Sequence, residues 1–246
     1  MSEQTVVSHD TIRRLARDVR EIMKNPLDDN GIHYIHSDTD MLHGQVMIEG
    51  PQETPYAHGH YYFDIRYPAN YPQSPPVFTY DTNDGHTRFN PNLYKNGKVC
   101  ISVLNTWRGD QWSPCQTISS ILLSVCSVLN DNPLLNEPGF KETDIDFHKY
   151  TQTIEYKNYS IGIVKMLESE YIKDKYPGLY ETSTTVFLKN YKSIMENLDK
   201  SIMENLEKHK NNEPHIITTR VYGMETKVDY KKTREDIERV YKELKN

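Results

Sequence analysis

Asn92 and Cys100, eight residues apart around an Asn96-Gly97 turn, form the pair in this sequence best suited to chemistry. A cysteine sulfur is a nucleophile, and an asparagine amide held nearby can donate a hydrogen bond to an oxyanion. Asn92 is fixed behind Pro91, and Asn-Gly is a tight-turn dipeptide that presents its neighbours at the surface. Such a pair could carry an acyl group as a thioester and stabilise the oxyanion formed when that thioester is attacked. A lone cysteine more commonly packs as a small buried hydrophobe. We take that reading for Cys126, which lies in a helical apolar run, and a structural one for Cys115 just before it.

Two enzyme readings then compete for Cys100. A hydrolase needs a histidine to take the thiol proton, and a third group to orient that histidine. His86 is the nearest in sequence, and sequence alone does not bring it to the sulfur. A thioester carrier needs no strong base beside the sulfur, because indiscriminate activation would hydrolyse its cargo. It needs a donor on the carbonyl side, which Asn92 could supply, and a group to desolvate or deprotonate the incoming amine.

The bulk of the chain narrows the classes. Its 246 residues suffice for one well-buried domain plus an extension. A net charge of -6 argues against nucleic acid as the main partner. No stretch approaches the roughly 18 to 20 apolar residues of a membrane span, and Met1 to Asp10 lacks the apolar core of a signal peptide. Three cysteines make no disulfide framework and fit a reducing compartment such as the cytoplasm or nucleus. Ten scattered histidines show no metal-ligand spacing, so neither a metal nor another cofactor is expected.

The elements that must position the pair are legible in part. Ser8 or Asp10 can cap a first helix whose apolar stripe is Ile12, Leu15, Val19, Ile22 and Met23, and Asn25-Pro26 stops it. Arg13, Arg14, Arg17 and Arg20 lie on its other faces. Ile32 to His36, Leu42 to Glu49, Tyr61 to Tyr67 and Val77 to Tyr80 read as four strands, joined by short connections that favour an antiparallel meander. From Asp81 to Cys115 the periodicity is lost, and a loop of that length in a compact domain is usually functional. Helical period returns at Ile118 to Leu129 and again from Phe147 to Ser169. Beyond Tyr176-Pro177-Gly178 an eight-residue duplication, Lys192 to Asp199 and Lys200 to Glu207, extends a stripe at 187, 191, 194, 198, 202 and 206. A last helix is expected to begin at Thr233, with Asp236 completing an approximate capping box. The fold class is therefore α+β, with a core domain at 1–170 and a helical extension at 171–246.

Residues 10 to about 168 resemble the core domain of ubiquitin-conjugating enzymes. The matching pieces are a first helix ending before Pro26, Gly50-Pro51, Thr54-Pro55-Tyr56, Tyr71-Pro72, Pro75-Pro76, the spacing of Asn92 to Cys100, and Trp112-Ser113-Pro114 with its following helix. The run from Arg88 to Trp107, and Asn136 to Phe140, are closest to the Z-type branch. Like that branch, the chain has a long gap, twelve residues, between Cys100 and Trp112.

The resemblance implies roles for particular residues. Cys100 carries ubiquitin or a ubiquitin-like modifier as a thioester; Asn92 stabilises the oxyanion or holds the loop; Glu137 orients or deprotonates the attacking lysine. Asn90, Ser102 and Trp112 support the active-site loop. Arg13, Arg14 and Arg17 meet the activating enzyme, whereas Pro72, Gln73, Pro75 and Pro114 face a ubiquitin ligase. Leu123 and Ser127 hold the donor ubiquitin. The implied partners are thus a modifier, an activating enzyme, a ligase and a protein substrate, with ATP and magnesium confined to the upstream step. The alternative is a non-catalytic ubiquitin-binding variant of the fold, which typically lacks the cysteine. Several positions depart from the family's usual pattern. Asn90 stands for a usual histidine, Ser102 for a frequent aspartate, Gln73 for an aromatic residue, and His58 for a glycine, which suggests a backbone adjustment there. On this reading Asn92→Ala slows discharge more than charging.

Overall fold

The computed structural model describes residues 7–209 and 213–245; Met1 to Val6, the first part of the stretch read for a signal peptide, lies outside them. Helix α1 (His9–Lys24) starts at Ser8, whose side chain accepts from the Thr11 amide, and ends at Asn25 before Pro26. Leu15 and Ile22 are buried, as the stripe predicts, but Met23 is 73% exposed. The i+3 step from Leu15 instead puts Asp18 in the buried face, where Arg14 and Tyr71 satisfy its carboxylate at 2.8 and 2.7 Å.

Strands β1 (Ile32–His36), β2 (His43–Glu49), β3 (His60–Arg66) and β4 (Val77–Tyr80) form one antiparallel meander in sequential order. The period of two divides its faces. Val46, Ile48, Tyr61, Phe63 and Ile65 join Leu15 and Ile22 of α1, and Ile121, Leu122 and Val125 of α2 (Ile118–Ser127), in the main core. Met47 and Tyr62 point the other way.

That outer face is covered by the chain's own later helices. Helix α3 (Phe147–Lys157) runs on through a π-helical stretch, Asn158–Lys165, into α4 (Met166–Glu168). The wide turn has a local cause. Asn158 accepts from the Tyr61 hydroxyl at 2.7 Å and donates to the Ala57 carbonyl at 2.8 Å. A Cβ on Gly59 would lie 1.9 Å from the Asn158 side-chain oxygen, so only glycine fits there. Met166, then Ile172 of α5 (Glu170–Lys175), Tyr176 just after it, and Leu179 at the start of α6 (Pro177–His209) pack on Met47 and Tyr62.

The duplication lies in α6, and its two copies do unequal work. Eight residues advance a helix by about 80° beyond two full turns, so the copies face different directions. Ile194 and Leu198 of the first are fully buried, whereas Ile202 and Leu206 of the second are only half-buried. Ile194, Leu198 and Ile202 share a second core with Ile163, Val164 and Leu167, and with Ile237 and Val240 of α7 (Tyr230–Lys245).

The extension is not wholly helical. Between α6 and α7 stand β5 (His215–Thr219) and β6 (Met224–Val228), an antiparallel hairpin. Five-residue strands interrupted by Lys, Glu and Thr give too weak an alternation to be read beforehand. Helix α7 begins at Tyr230, three residues before Thr233, because Asp229 accepts from the Lys232 amide and so replaces the predicted capping box. His58 sits at φ 63, the backbone adjustment expected where a glycine is usual, and its ring meets Ser193 of α6 at 3.1 Å.

His60, on the outer face opposite Glu49, is fully buried. Burial pushes its pKa down from 6.5 to about 4 against the opposing pull of Glu49. The ring is therefore neutral in the fold while the unfolded chain protonates near 6.5. Stability is complete above that pH and falls as pH drops toward 4, by at most about 3 kcal/mol from this group. His60→Leu should flatten the pH dependence of the urea midpoint between 4 and 6.5. An unchanged slope would assign the acid loss to other groups.

Candidate active site

Asn92 and Cys100 are joined by two hydrogen bonds. The Cys100 amide donates to the Asn92 carbonyl at 2.8 Å, and the Asn92 side-chain amide donates to the Cys100 carbonyl at 2.6 Å. Between them the Asn96-Gly97 turn reverses the chain, with Gly97 at φ 86. Cys100 is only 2% exposed, so the turn does not present it at the surface as expected. A turn dipeptide governs its own backbone, not what later folds over its neighbours. Beyond Cys100, a 3-10 turn at Ser102–Leu104 is followed by the long insertion, which returns so that a Cβ on Gly109 would stand 3.1 Å from the Ser102 Cβ. Thr106 fastens this loop by accepting from the Ile101 amide at 3.0 Å.

Asn90 is the hub beneath the pair. It is fully buried and uses all four of its bonding positions. Its amide donates to the Tyr56 hydroxyl at 2.9 Å and the Val128 carbonyl at 2.7 Å. Its oxygen accepts from the Asn92 backbone at 2.9 Å and the Asn136 side chain at 3.2 Å. Arg88 braces the same turn through the Asn90 and Pro91 carbonyls, at 3.1 and 2.6 Å, and stacks over Tyr94 at 3.2 Å from the ring centroid. Reasoning from sequence missed Arg88, because an arginine before a turn has no local mark of burial.

Glu137 follows Asn136 at the end of a short 3-10 turn, Pro133–Asn136, and is half-buried. Its carboxylate accepts a hydrogen bond from the Tyr222 hydroxyl, at the tip of the β5–β6 hairpin. Tyr222 was not anticipated either. Its φ of 58 is rare for a bulky side chain and costs on the order of 1 to 3 kcal/mol. Burial, then Glu137, push its pKa far above the usual phenol value, so it remains a donor. His86, the histidine considered for a hydrolase, is exposed in a turn where its amide donates to Asp84 at 3.0 Å. No hydrogen bond among the described residues links it to Cys100.

The remaining expected residues fall into separate groups. Trp112 donates to the Pro72 carbonyl at 2.7 Å and stands 6.0 Å from the Tyr71 ring, which brings the Pro72–Pro76 loop beside Trp112–Pro114. Gln73 and Pro114 are exposed on it, while Pro72 and Pro75 are half-buried. Leu123 and Ser127, one turn apart on α2, both face outward, Leu123 with 44% of its surface free. Arg13 and Arg17 are exposed on α1, but Arg14 is not part of a free basic face. Its guanidinium holds Asp18 and donates to the carbonyls of Pro114 and Gln116, tying α1 to the loop before α2. Cys126 is half-buried against the core, as expected, whereas Cys115 is exposed, with its amide donating to the Ser113 hydroxyl at 3.3 Å.

The family described as ubiquitin-conjugating enzyme matches residues 14–159. Ubiquitin-conjugating enzyme E2 Z of Xenopus tropicalis is 39% identical over 166 residues, covering 66% of this chain and 52% of that protein. The human E2 Z is 39% identical over 160 residues, covering 64% and 45%. The human dual E2 ubiquitin-conjugating enzyme/E3 ubiquitin-protein ligase BIRC6 is 43% identical over 140 residues, 53% of this chain and 3% of its own. The chain thus spans about half the length of the E2 Z relatives it matches. The matched segment contains most of α1, the meander, the Asn90–Asn92–Cys100 hub and α2, and it stops before the hairpin that supplies Tyr222. By the match to that whole core, the chain belongs to the ubiquitin-conjugating enzyme family.

Proposed function

We propose that the chain accepts ubiquitin, or a ubiquitin-like modifier, from an activating enzyme onto Cys100 and passes it to a substrate lysine or a ligase cysteine. The observation that carries this reading is the reciprocal pair of bonds between Asn92 and Cys100 in a chain of this family. In charging, the Cys100 sulfur forms a bond to the modifier's terminal carbonyl carbon, and the activating enzyme's sulfur leaves. In discharge, an amine nitrogen attacks the same carbon, the carbon–sulfur bond breaks, and Cys100 departs as thiolate. The amine proton passes to the Glu137 carboxylate. With Cys100 buried, charging requires a local opening of the loop around it.

The surfaces fit the same reading. Exposed Arg13 and Arg17 offer a basic helix face to the activating enzyme, whereas Arg14 serves α1 itself. The joined Pro72–Pro76 and Trp112–Pro114 loops offer a ligase surface, and Leu123 with Ser127 a seat for the donor modifier. Free thiols suit a reducing compartment such as the cytoplasm.

Incubation with Mg-ATP, modifier and a panel of activating enzymes should give a conjugate band on a non-reducing gel that reductant abolishes. Cys100→Ser should convert it to a reductant-resistant oxyester, and Cys100→Ala should give none. A chain that charges with no activating enzyme in the panel would be a binding scaffold.

A further inference from the structure

We propose that Tyr222 is a positioning residue for aminolysis, fixing the Glu137 carboxylate so that the C-terminal hairpin completes the active site. This rests on the reading of Glu137 as the group that receives the lysine proton. The observation is a contact between two places 85 residues apart, one inside the family core and one outside it.

Both ends of the contact are held. On the hairpin side, the Val221 amide donates to Asp146 at 2.7 Å, and the Arg88 amide donates to the Met224 sulfur at 3.3 Å. The Tyr222 ring lies 4.9 Å from the Arg88 guanidinium and 5.9 Å from the Tyr150 ring. A tyrosine kept at φ 58 by these anchors has its hydroxyl aimed by the backbone rather than by a free rotamer. On the core side, Asn136 donates to Asn90 at 3.2 Å and to the Val128 carbonyl at 3.0 Å, and Asn90 holds Asn92. A chain of hydrogen bonds, buried at its Asn90–Asn92–Cys100 end, therefore runs from Tyr222 through the Glu137 loop to Cys100.

A half-exposed glutamate has several rotamers, and only some point at an incoming amine. A phenol that stays protonated donates to Glu137 Oε2 and leaves Oε1 for the lysine. Pro138, next to Glu137, lines an open groove with Asn105, Thr106, Trp107 and Arg108 of the insertion. In this proposal the amine enters by that groove, at the edge where Pro138 adjoins Glu137. Its nitrogen bonds to the thioester carbon, its proton goes to Oε1, and the Cys100 sulfur leaves with the electron pair. Holding a general base in place in this way is a gain of orientation, realised only when a proton must move.

The test is single-turnover discharge of the full chain charged at Cys100, with two acceptors: free lysine and 2-mercaptoethanol. A thiolate acceptor brings no proton to remove, so it reports the state of the Cys100 loop alone. Tyr222→Phe keeps the ring over Arg88 and should slow discharge to lysine about tenfold, the effect of one net hydrogen bond. Transfer to the thiol should stay unchanged. Glu137→Gln should also slow lysine discharge, and adding Tyr222→Phe to it should cost nothing further. Normal lysine discharge by Tyr222→Phe beside a slow Glu137→Gln would overturn this inference alone. Multiplicative losses in the double variant, or equal loss toward the thiol, would overturn it too, by assigning Tyr222 to the loop. A Glu137→Gln variant as fast as the native chain would remove the role of Glu137, and this inference with it.

Discussion

Asn92→Ala should slow charging of Cys100 and discharge to lysine by similar factors, each about 10²-fold. The resemblance alone pointed to a larger loss in discharge, since an oxyanion donor acts chiefly when the thioester is attacked. The structure gives the amide a different occupation in the resting enzyme. It is spent on the Cys100 carbonyl at 2.6 Å, and Asn92 is only 5% exposed. Removing it frees the backbone that carries the sulfur, and a misplacement of about 1 Å can cost 10²-fold in any step that uses that sulfur. Single-turnover rates for both half-reactions, measured on one preparation, decide the point. A discharge loss far above the charging loss would mean that the amide leaves the carbonyl and follows the oxyanion.

Asn90→Ala should be the most destabilising single change in the site, by about 3 kcal/mol in urea unfolding. Four partners lose a bond at once: the Tyr56 hydroxyl, the Val128 carbonyl, the Asn92 amide and the Asn136 side chain. Val128 keeps Asn136 as a donor at 3.0 Å, and the Tyr56 hydroxyl still donates to the Phe89 carbonyl at 2.7 Å. The Asn92 amide is left unsatisfied in a buried place, where the desolvation penalty is full. Asn90→His restores the residue usual in the family but should recover only part of the loss. A neutral imidazole offers one donor and one acceptor, half of what the four contacts require. Equal stability of the histidine and native forms would show that the hub needs only two of its bonds.

Local patterns were legible where one element dictates its own neighbours. The first helix, bounded by Ser8 and Pro26, follows from a cap, a stripe and a stop. The four strands and their meander follow from short alternating runs with tight connections. What misled was most often a contact made outside the segment being read. Met23 fits the helical stripe and is exposed, while Asp18 breaks it and is buried, because Arg14 and Tyr71 wait there. Arg14 reads as one of a basic row until the loop before α2 turns its carbonyls toward it. The hairpin escaped notice because its strands are five residues long and largely polar in alternation.

The sequence by itself determined the family and the placing of Asn92 and Cys100 at the two ends of one turn, since spacing within a turn is set by a few covalent bonds. It also determined that α6 carries a repeated stripe. Only the tertiary structure decided how these residues are used. It buried Cys100, spent the Asn92 amide on the Cys100 carbonyl, and gave Asn90 four partners from three separate segments. It also brought Tyr222 to Glu137 across 85 residues. Contacts of that separation depend on how whole elements dock, and burial assigns each polar group its partner only once they have done so.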